Sequence, residues 1–191
     1  MHRNLETHDT DRERLELELL VARCQLGEPS AFDALVERWH EPLWRYVRSM
    51  TGDPATAEEV LQDGWLRILR GIDRLREPAR LQAWLFSIVR RAFVDRLRAR
   101  YADSGLEPLD EEPPEEDPAS ELGWEESESL HRALQTLPPP DRETVVLFYL
   151  QELDLREVAE VLDVPVGTVK SRLHRARRSL RDQLETQGVT R

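Results

Sequence analysis

At 191 residues the chain has room for one medium domain or two small ones, and no run approaches the roughly 18 uninterrupted apolar residues of a membrane-spanning helix. Its single cysteine, Cys24, excludes an internal disulfide and a thiolate metal cluster, and its five histidines show no ligand spacing, so no metal is expected. The formal charge of −11 is not evenly spread: residues 1–101 carry 17 Arg and 17 Asp/Glu, residues 102–128 carry 12 Asp/Glu and no Lys or Arg, and residues 129–191 carry 10 Lys/Arg and 9 Asp/Glu.

That acidic middle segment reads as a linker, which leaves both flanks free to bind an anionic partner. The opening MHRNLETHDTDRER is polar and has no apolar run. It reads as a mobile tail rather than a secretory leader, and the expected location is the cytoplasm.

A first helix should follow, with Leu15, Leu19, Ala22 and Leu26 on its buried face and Gly27 closing it. A longer second helix starts at Ser30 as cap and carries Phe32, Leu35, Val36, Trp39, Leu43, Tyr46 and Val47 at helical spacing, with Pro42 as a possible kink. Asp53-Pro54 predicts a capped start for a third helix, ATAEEVLQDGWLRILRGI, which ends near Gly71. The loop DRLREPARL is broken by Pro78, and a fourth helix runs from about Leu81 to Tyr101. These four helices predict an all-α N-terminal bundle over residues 14–101.

The fourth helix interleaves Trp84, Phe86, Phe93 and Tyr101 with Arg90, Arg91, Arg96, Arg98 and Arg100, and Asp95 is its only acid. Rings that stack on bases beside guanidinium groups that hold phosphates suit single-stranded DNA. The same rings also suit a core with a solvated arginine face, and the pattern alone does not separate the two.

Residues 102–128 join Gly105, Pro108, Pro113, Pro114 and Pro118 to their acids. Such a stretch buries too little apolar surface to offset chain entropy and is expected to be disordered. Order resumes with Leu130, Leu134 and Leu137, followed by a helix through DRETVVLFYL.

The last segment is the most specific. Leu155, Val158, Ala159 and Leu162 form one apolar stripe, Asp163-Val164-Pro165 interrupts it, and Val169, Leu173, Ala176, Leu180 and Leu184 form a second stripe. Thr168, Ser171, Arg175 and Arg178 fall on the opposite side of that second helix, flanked by Lys170, His174, Arg177 and Arg181. From Val164 to Arg181 there are six Lys/Arg and no acid. A solvated face normally mixes signs, and this one does not. Two short helices across a tight turn, the second wholly basic outside, make a helix-turn-helix over residues 129–185 whose second helix enters the major groove. No glycine-rich phosphate loop, metal cluster or nucleophile–base pair points to an enzyme, and no cofactor is expected.

The segment LREVAEVLD–VPVGTVKSRLHRARRSL resembles the promoter-reading C-terminal domain of bacterial sigma factors. TAEEVLQDGWLRILRGIDRL and LQAWLFSIVRRAFVDRLR resemble their polymerase-binding and minus-ten-reading region, and AFDALVERWHEPLWRYV its preceding helix. Both matches stand in family order, as in the small two-domain extracytoplasmic-function type. The resemblance implies a factor that directs RNA polymerase core to promoters and assists their opening.

It implies that Glu59, Gln62, Asp63 and Arg67 dock on the clamp coiled coil of the largest polymerase subunit. It implies minus-ten contacts from Leu75, Arg76, Trp84, Arg90, Arg91 and Arg96, with Leu75-Arg76 where members often carry Phe-Arg and Arg91 where many carry Asn. Minus-thirty-five contacts would come from Thr168, Lys170, Ser171, Arg172, His174, Arg175 and Arg178. Further implied are an anti-sigma partner and a linker that threads the polymerase cleft, a bare spacer being the plainer reading of the linker. The competing reading of the residues is a dimeric helix-turn-helix regulator that binds DNA without polymerase.

Overall fold

The computed structural model describes residues 3–104 and 133–186, and among the described residues every regular element is helical. The N-terminal unit comprises α1 (Arg3–Gln25), α2 (Pro29–Thr51), α3 (Pro54–Gly71) and α4 (Leu81–Ser104), with 3-10 turns at Ile72–Arg74 and Pro78–Arg80 between the last two. The C-terminal unit comprises α5 (Pro139–Val145), a π-helical turn at Val146–Leu150, α6 (Leu155–Leu162) and α7 (Val166–Thr186). The expected all-α architecture of a four-helix bundle and a helix-turn-helix is therefore present. Of the expected disordered linker, residues 102–128, the first three belong to the end of α4 and the rest lie outside the described residues.

Two local expectations are corrected. The mobile tail is in fact the start of α1, which begins at Arg3; the Arg12–Glu16 and Arg14–Glu18 pairs one turn apart support it. The buried face of α1 is also the other one. Val21 and Cys24 are buried and Leu17 and Leu20 pack beside them, whereas Leu15, Leu19 and Leu26 are 64%, 60% and 79% exposed. Ala22 is exposed as well. Both sets obey the same helical spacing, and only the partner surface decides between them.

Helix α2 starts one residue earlier than its expected cap. Glu28 is the extended cap residue and Pro29 the first helical one, while Ser30 accepts a hydrogen bond from Arg23 Nη2 at 3.2 Å. The helix continues through Pro42 and stops at Gly52, whose φ of 69° suits glycine. Asp53 caps α3 as expected, its carboxylate accepting from the Thr56 amide at 2.6 Å, and that bond holds the Asp53 carboxyl below its ordinary pKa. Gly64 permits the close approach of α3 and α4, since a Cβ there would lie 2.9 Å from Val89 Cγ2.

In the C-terminal unit Asp154 accepts from the amides of Arg156 and Glu157 at 2.6 and 2.9 Å, and Glu157 returns the bond to the Asp154 amide at 2.8 Å. Asp163 ends α6 in the left-handed region at φ 54°, and this turns the chain into α7. Val158, Leu162, Val169, Leu173 and Ala176 then meet in the core between the two helices.

The two units do not stand apart. Their buried apolar residues form one continuous core, and α5 and α6 pack against α2 and α4. The Tyr46 hydroxyl donates to Glu143 Oε1 at 2.7 Å, and Arg90 Nε donates to the same oxygen at 2.9 Å. Gln82 Nε2 donates to the Gln151 carbonyl at 2.6 Å, and buried Arg142 donates through Nη1 to the Ser49 carbonyl at 3.3 Å. Arg80 and Glu160 form an ion pair at the edge of the junction.

Candidate nucleic-acid interface

Helix α7 presents the basic surface that its sequence predicts. Lys170, Ser171, His174, Arg175 and Arg178 are exposed, and Thr168 and Arg172 are half-buried. The turn before α7 is fixed by backbone bonds, with the Thr168 amide donating to the Pro165 carbonyl at 2.8 Å. Ser171 Oγ donates back to the Thr168 carbonyl at 2.9 Å. Arg177 lies over the Tyr149 ring, 5.8 Å from its centroid, and so flanks the reading face from one side. Arg175 is gripped from below by Asp141, a contact that sequence reasoning missed because 34 residues separate the pair.

The fourth-helix set divides. Arg76 and Arg91 are exposed. Trp84 is half-buried and its ring packs over Gly71. Leu75 is 8% exposed, and its carbonyl accepts from Gln25 Nε2 at 2.8 Å, so it anchors the loop from inside. Arg96 is exposed and paired with Glu59. Arg90 is drawn into the junction between the units. Burial, the largest single influence, pushes its guanidinium pKa down, but Glu143, Tyr46 and Asp163 together outweigh it and hold the group above its ordinary value. Burial and then Glu143 raise the Tyr46 hydroxyl well above the ordinary tyrosine value.

On α3 the polar residues chosen from sequence lie on two sides. Glu59, Asp63 and Arg67 recur at one-turn spacing on the side toward α4. There Arg67 bonds to Asp63 at 2.8 Å and to Asp95 at 2.6 Å, and Glu59 meets Arg96. Gln62 faces outward instead, and together with Glu58 and the near side of Glu59 it lines a depression of about 520 Å³ with Phe32, Val36, Trp65, Leu66 and Leu69. Val36, Leu66 and Leu69 are exposed large apolar residues. Leu66 and Leu69 lie off the buried stripe of Val60, Leu61, Gly64 and Ile68, and that misplacement was the readable sign of an outward apolar patch.

Among the described residues no group of His, Cys, Asp and Glu could hold a metal ion, and no helix is long and apolar enough to cross a membrane. Family models match both halves: sigma-70 region 2 over residues 35–102 and sigma-70 region 4 over residues 127–180. The chain is 30% identical to the ECF RNA polymerase sigma factor SigW of Bacillus subtilis, over 86% of this chain and 94% of that protein. It is 37% identical to the ECF sigma factor SigM of Mycobacterium tuberculosis, over 88% and 84% of the two chains.

The chain belongs to the sigma-70 family, as a sigma factor of the ECF type.

Sigma factors act in transcription initiation and are not enzymes, and their partners are RNA polymerase core and promoter DNA. Among solved structures, this sigma factor is similar to CnrH in complex with the cytosolic domain of CnrY, at 27% identity and a TM-score of 0.65 over 88% of this chain and 96% of that one. Its fold is also that of the sigma factor RpoE bound to the anti-sigma factor NepR from Bartonella quintana, at 23% identity and a TM-score of 0.65 over 81% and 96%.

Proposed function

We propose that α7 reads the minus-thirty-five element, that the loop after α3 and the outer side of α4 serve the minus-ten element, and that the outer faces of α2 and α3 dock on the polymerase clamp. The observation that carries this reading is the exposed basic side of α7, without an acid from Val166 to Arg181, set on a capped helix-turn-helix. Thr168, Lys170, Ser171, Arg172, His174, Arg175 and Arg178 make the duplex contacts: arginine discriminates guanine by about 1–3 kcal/mol per good bidentate pair, and the other cations set register and salt dependence. Arg76, Trp84, Arg91 and Arg96 contact the minus-ten strand, while Leu75 and Arg90 hold the loop and the junction in place.

Polymerase docking combines an apolar centre at Val36, Leu66 and Leu69 with a polar rim of Glu59, Gln62, Asp63 and Arg67, the usual anatomy of a protein interface. Opening duplex DNA costs about 1.4 kcal/mol of stacking per base step, which one bundle face does not supply, so opening belongs to the assembled polymerase. The action is in the cytoplasm. An anti-sigma factor that covers both units is a further partner, supported by the similarity to CnrH in its complex with the cytosolic domain of CnrY.

Footprinting of the free chain and of the chain with polymerase core on the same promoter tests this reading. The expected result is strand opening only in the assembled enzyme, at one chain per core. Opening by the free chain, or stable binding of a homodimer to palindromic sites, would support the independent regulator instead.

A further inference from the structure

Asp141 lies in the first turn of α5, where two consecutive prolines fix the backbone and its amide donates to the Pro138 carbonyl at 2.9 Å. Its side chain is 5% exposed, and that of Arg175, on α7, is 62% exposed. The pair is bidentate: Arg175 Nη2 donates to Oδ1 at 2.7 Å and Nε donates to Oδ2 at 3.1 Å. A rigid, buried carboxylate therefore grips one edge of a guanidinium whose other end stands in solvent. It also holds the Arg175 pKa above its ordinary value through that hydrogen bond.

A guanidinium has five N–H groups in a fixed plane. A carboxylate on the Nε–Nη2 edge takes two of them and leaves both Nη1 hydrogens and one Nη2 hydrogen pointing away. Those two terminal nitrogens form the fork that pairs with guanine O6 and N7. Holding the fork before DNA arrives removes the rotamer freedom that an arginine side chain otherwise loses on binding. An acid close to the phosphates also opposes binding that lacks the matching base. We propose that Asp141 is a specificity-determining positioning residue: it orients Arg175 as a preset guanine-reading fork on α7. The proposal rests on the reading of α7 as the duplex-reading helix.

The test uses the full chain bound to RNA polymerase core. Duplexes are selected from a random library, and binding is then compared with every single-base-pair variant of the selected site at several salt concentrations. Arg175→Ala should lose about tenfold to a hundredfold discrimination at one base pair. Asp141→Asn should lose most of the same discrimination at the same base pair, with unchanged or higher affinity for mismatched duplex and an unchanged salt slope. Asp141→Asn added to Arg175→Ala should remove nothing more.

Three results would overturn the proposal, and they are distinguishable. If Arg175→Ala alters discrimination and Asp141→Asn does not, Asp141 does not position the fork. If Asp141→Asn weakens matched and mismatched duplexes in parallel and lowers the melting temperature, the pair is only a staple between α5 and α7. If Arg175→Ala changes discrimination nowhere, Arg175 does not read a base and Asp141 has no fork to orient; α7 itself falls as the reading helix only if Lys170→Ala, Arg178→Ala leaves duplex binding unchanged as well.

Discussion

The two halves of this sigma factor set acids from other helices against their arginines to different ends. In the N-terminal bundle the guanidinium groups of Arg67, Arg90 and Arg96 meet acids drawn from other helices: Asp95 of α4 for Arg67, Glu143 of α5 for Arg90 and Glu59 of α3 for Arg96. On α7 no acid occurs from Val166 to Arg181, and Arg175 is held by an acid brought from outside the helix. An arginine's part in binding is therefore set less by its place on a helical wheel than by which carboxylate the tertiary fold delivers to it. Along α4 the acids knit helices and units together, whereas beneath α7 one buried acid leaves the outer edge of an arginine available.

The sharpest way to break this contrast is at the junction. Glu143→Ala leaves Arg90 facing a gap and the Tyr46 hydroxyl without its acceptor. Removing one member of a buried pair costs about 3–5 kcal/mol, and because Arg90 keeps some solvent the lower end is expected. Docking of the two units should weaken enough for a single thermal transition to separate into two. Calorimetry checks this, and an unchanged single transition would contradict it. Tyr46→Phe, which keeps the ring packed edge-on against Phe86 and removes only the hydroxyl, should cost about 1 kcal/mol by the same measurement.

The raised Tyr46 pKa adds a pH signature. Its folded value lies above the ordinary 10.0, so its contribution is complete below that pH and is lost as pH rises toward the folded value. Urea denaturation of the wild type at rising alkaline pH should show this loss, and Tyr46→Phe should lack it.

The helix-packing side of the comparison rests on Gly64. Gly64→Ala forces a Cβ against Val89 Cγ2. Overpacking costs typically about 1–3 kcal/mol, and the roughly 1 kcal/mol that alanine gains over glycine in a helix offsets part of it. A net loss of stability, read by urea denaturation, is expected. Asp163→Val, with a β-branched residue in the left-handed position, should cost about 1–2 kcal/mol by the same measurement. Smallest of all, Arg96→Ala removes an exposed pair with Glu59 and should change stability by less than about 1 kcal/mol.

Much of this was legible in the sequence because it is local. The Asp53 cap, the α6 stripe of Val158, Ala159 and Leu162, and the Val169–Leu173–Ala176 stripe of α7 need only near neighbours to be read, and each stands in the structure as its spacing predicts. What stayed hidden depends on long-range choice. Helix α1 carries two apolar stripes of equal regularity, and the bundle selects the one through Val21 and Cys24. Glu143 looked like an ordinary helical acid until Tyr46, 97 residues away, was placed against it. Arg90 and Arg91 are adjacent in sequence, yet one turns into the junction and the other into solvent. On α3 the family resemblance pointed to Glu59, Gln62, Asp63 and Arg67, and the exposed Leu66 and Leu69 beside them went unread, although a misplaced leucine is itself a sign of a docking surface.

Run-off transcription from genomic fragments, with RNA polymerase core alone, with core plus this chain, and with core plus the Lys170→Ala, Arg178→Ala variant, tests the account most directly. The account predicts start sites that appear only with the wild-type chain and fade when α7 loses those two cations. The same start sites with and without the chain, or an undiminished pattern from the variant, would contradict it.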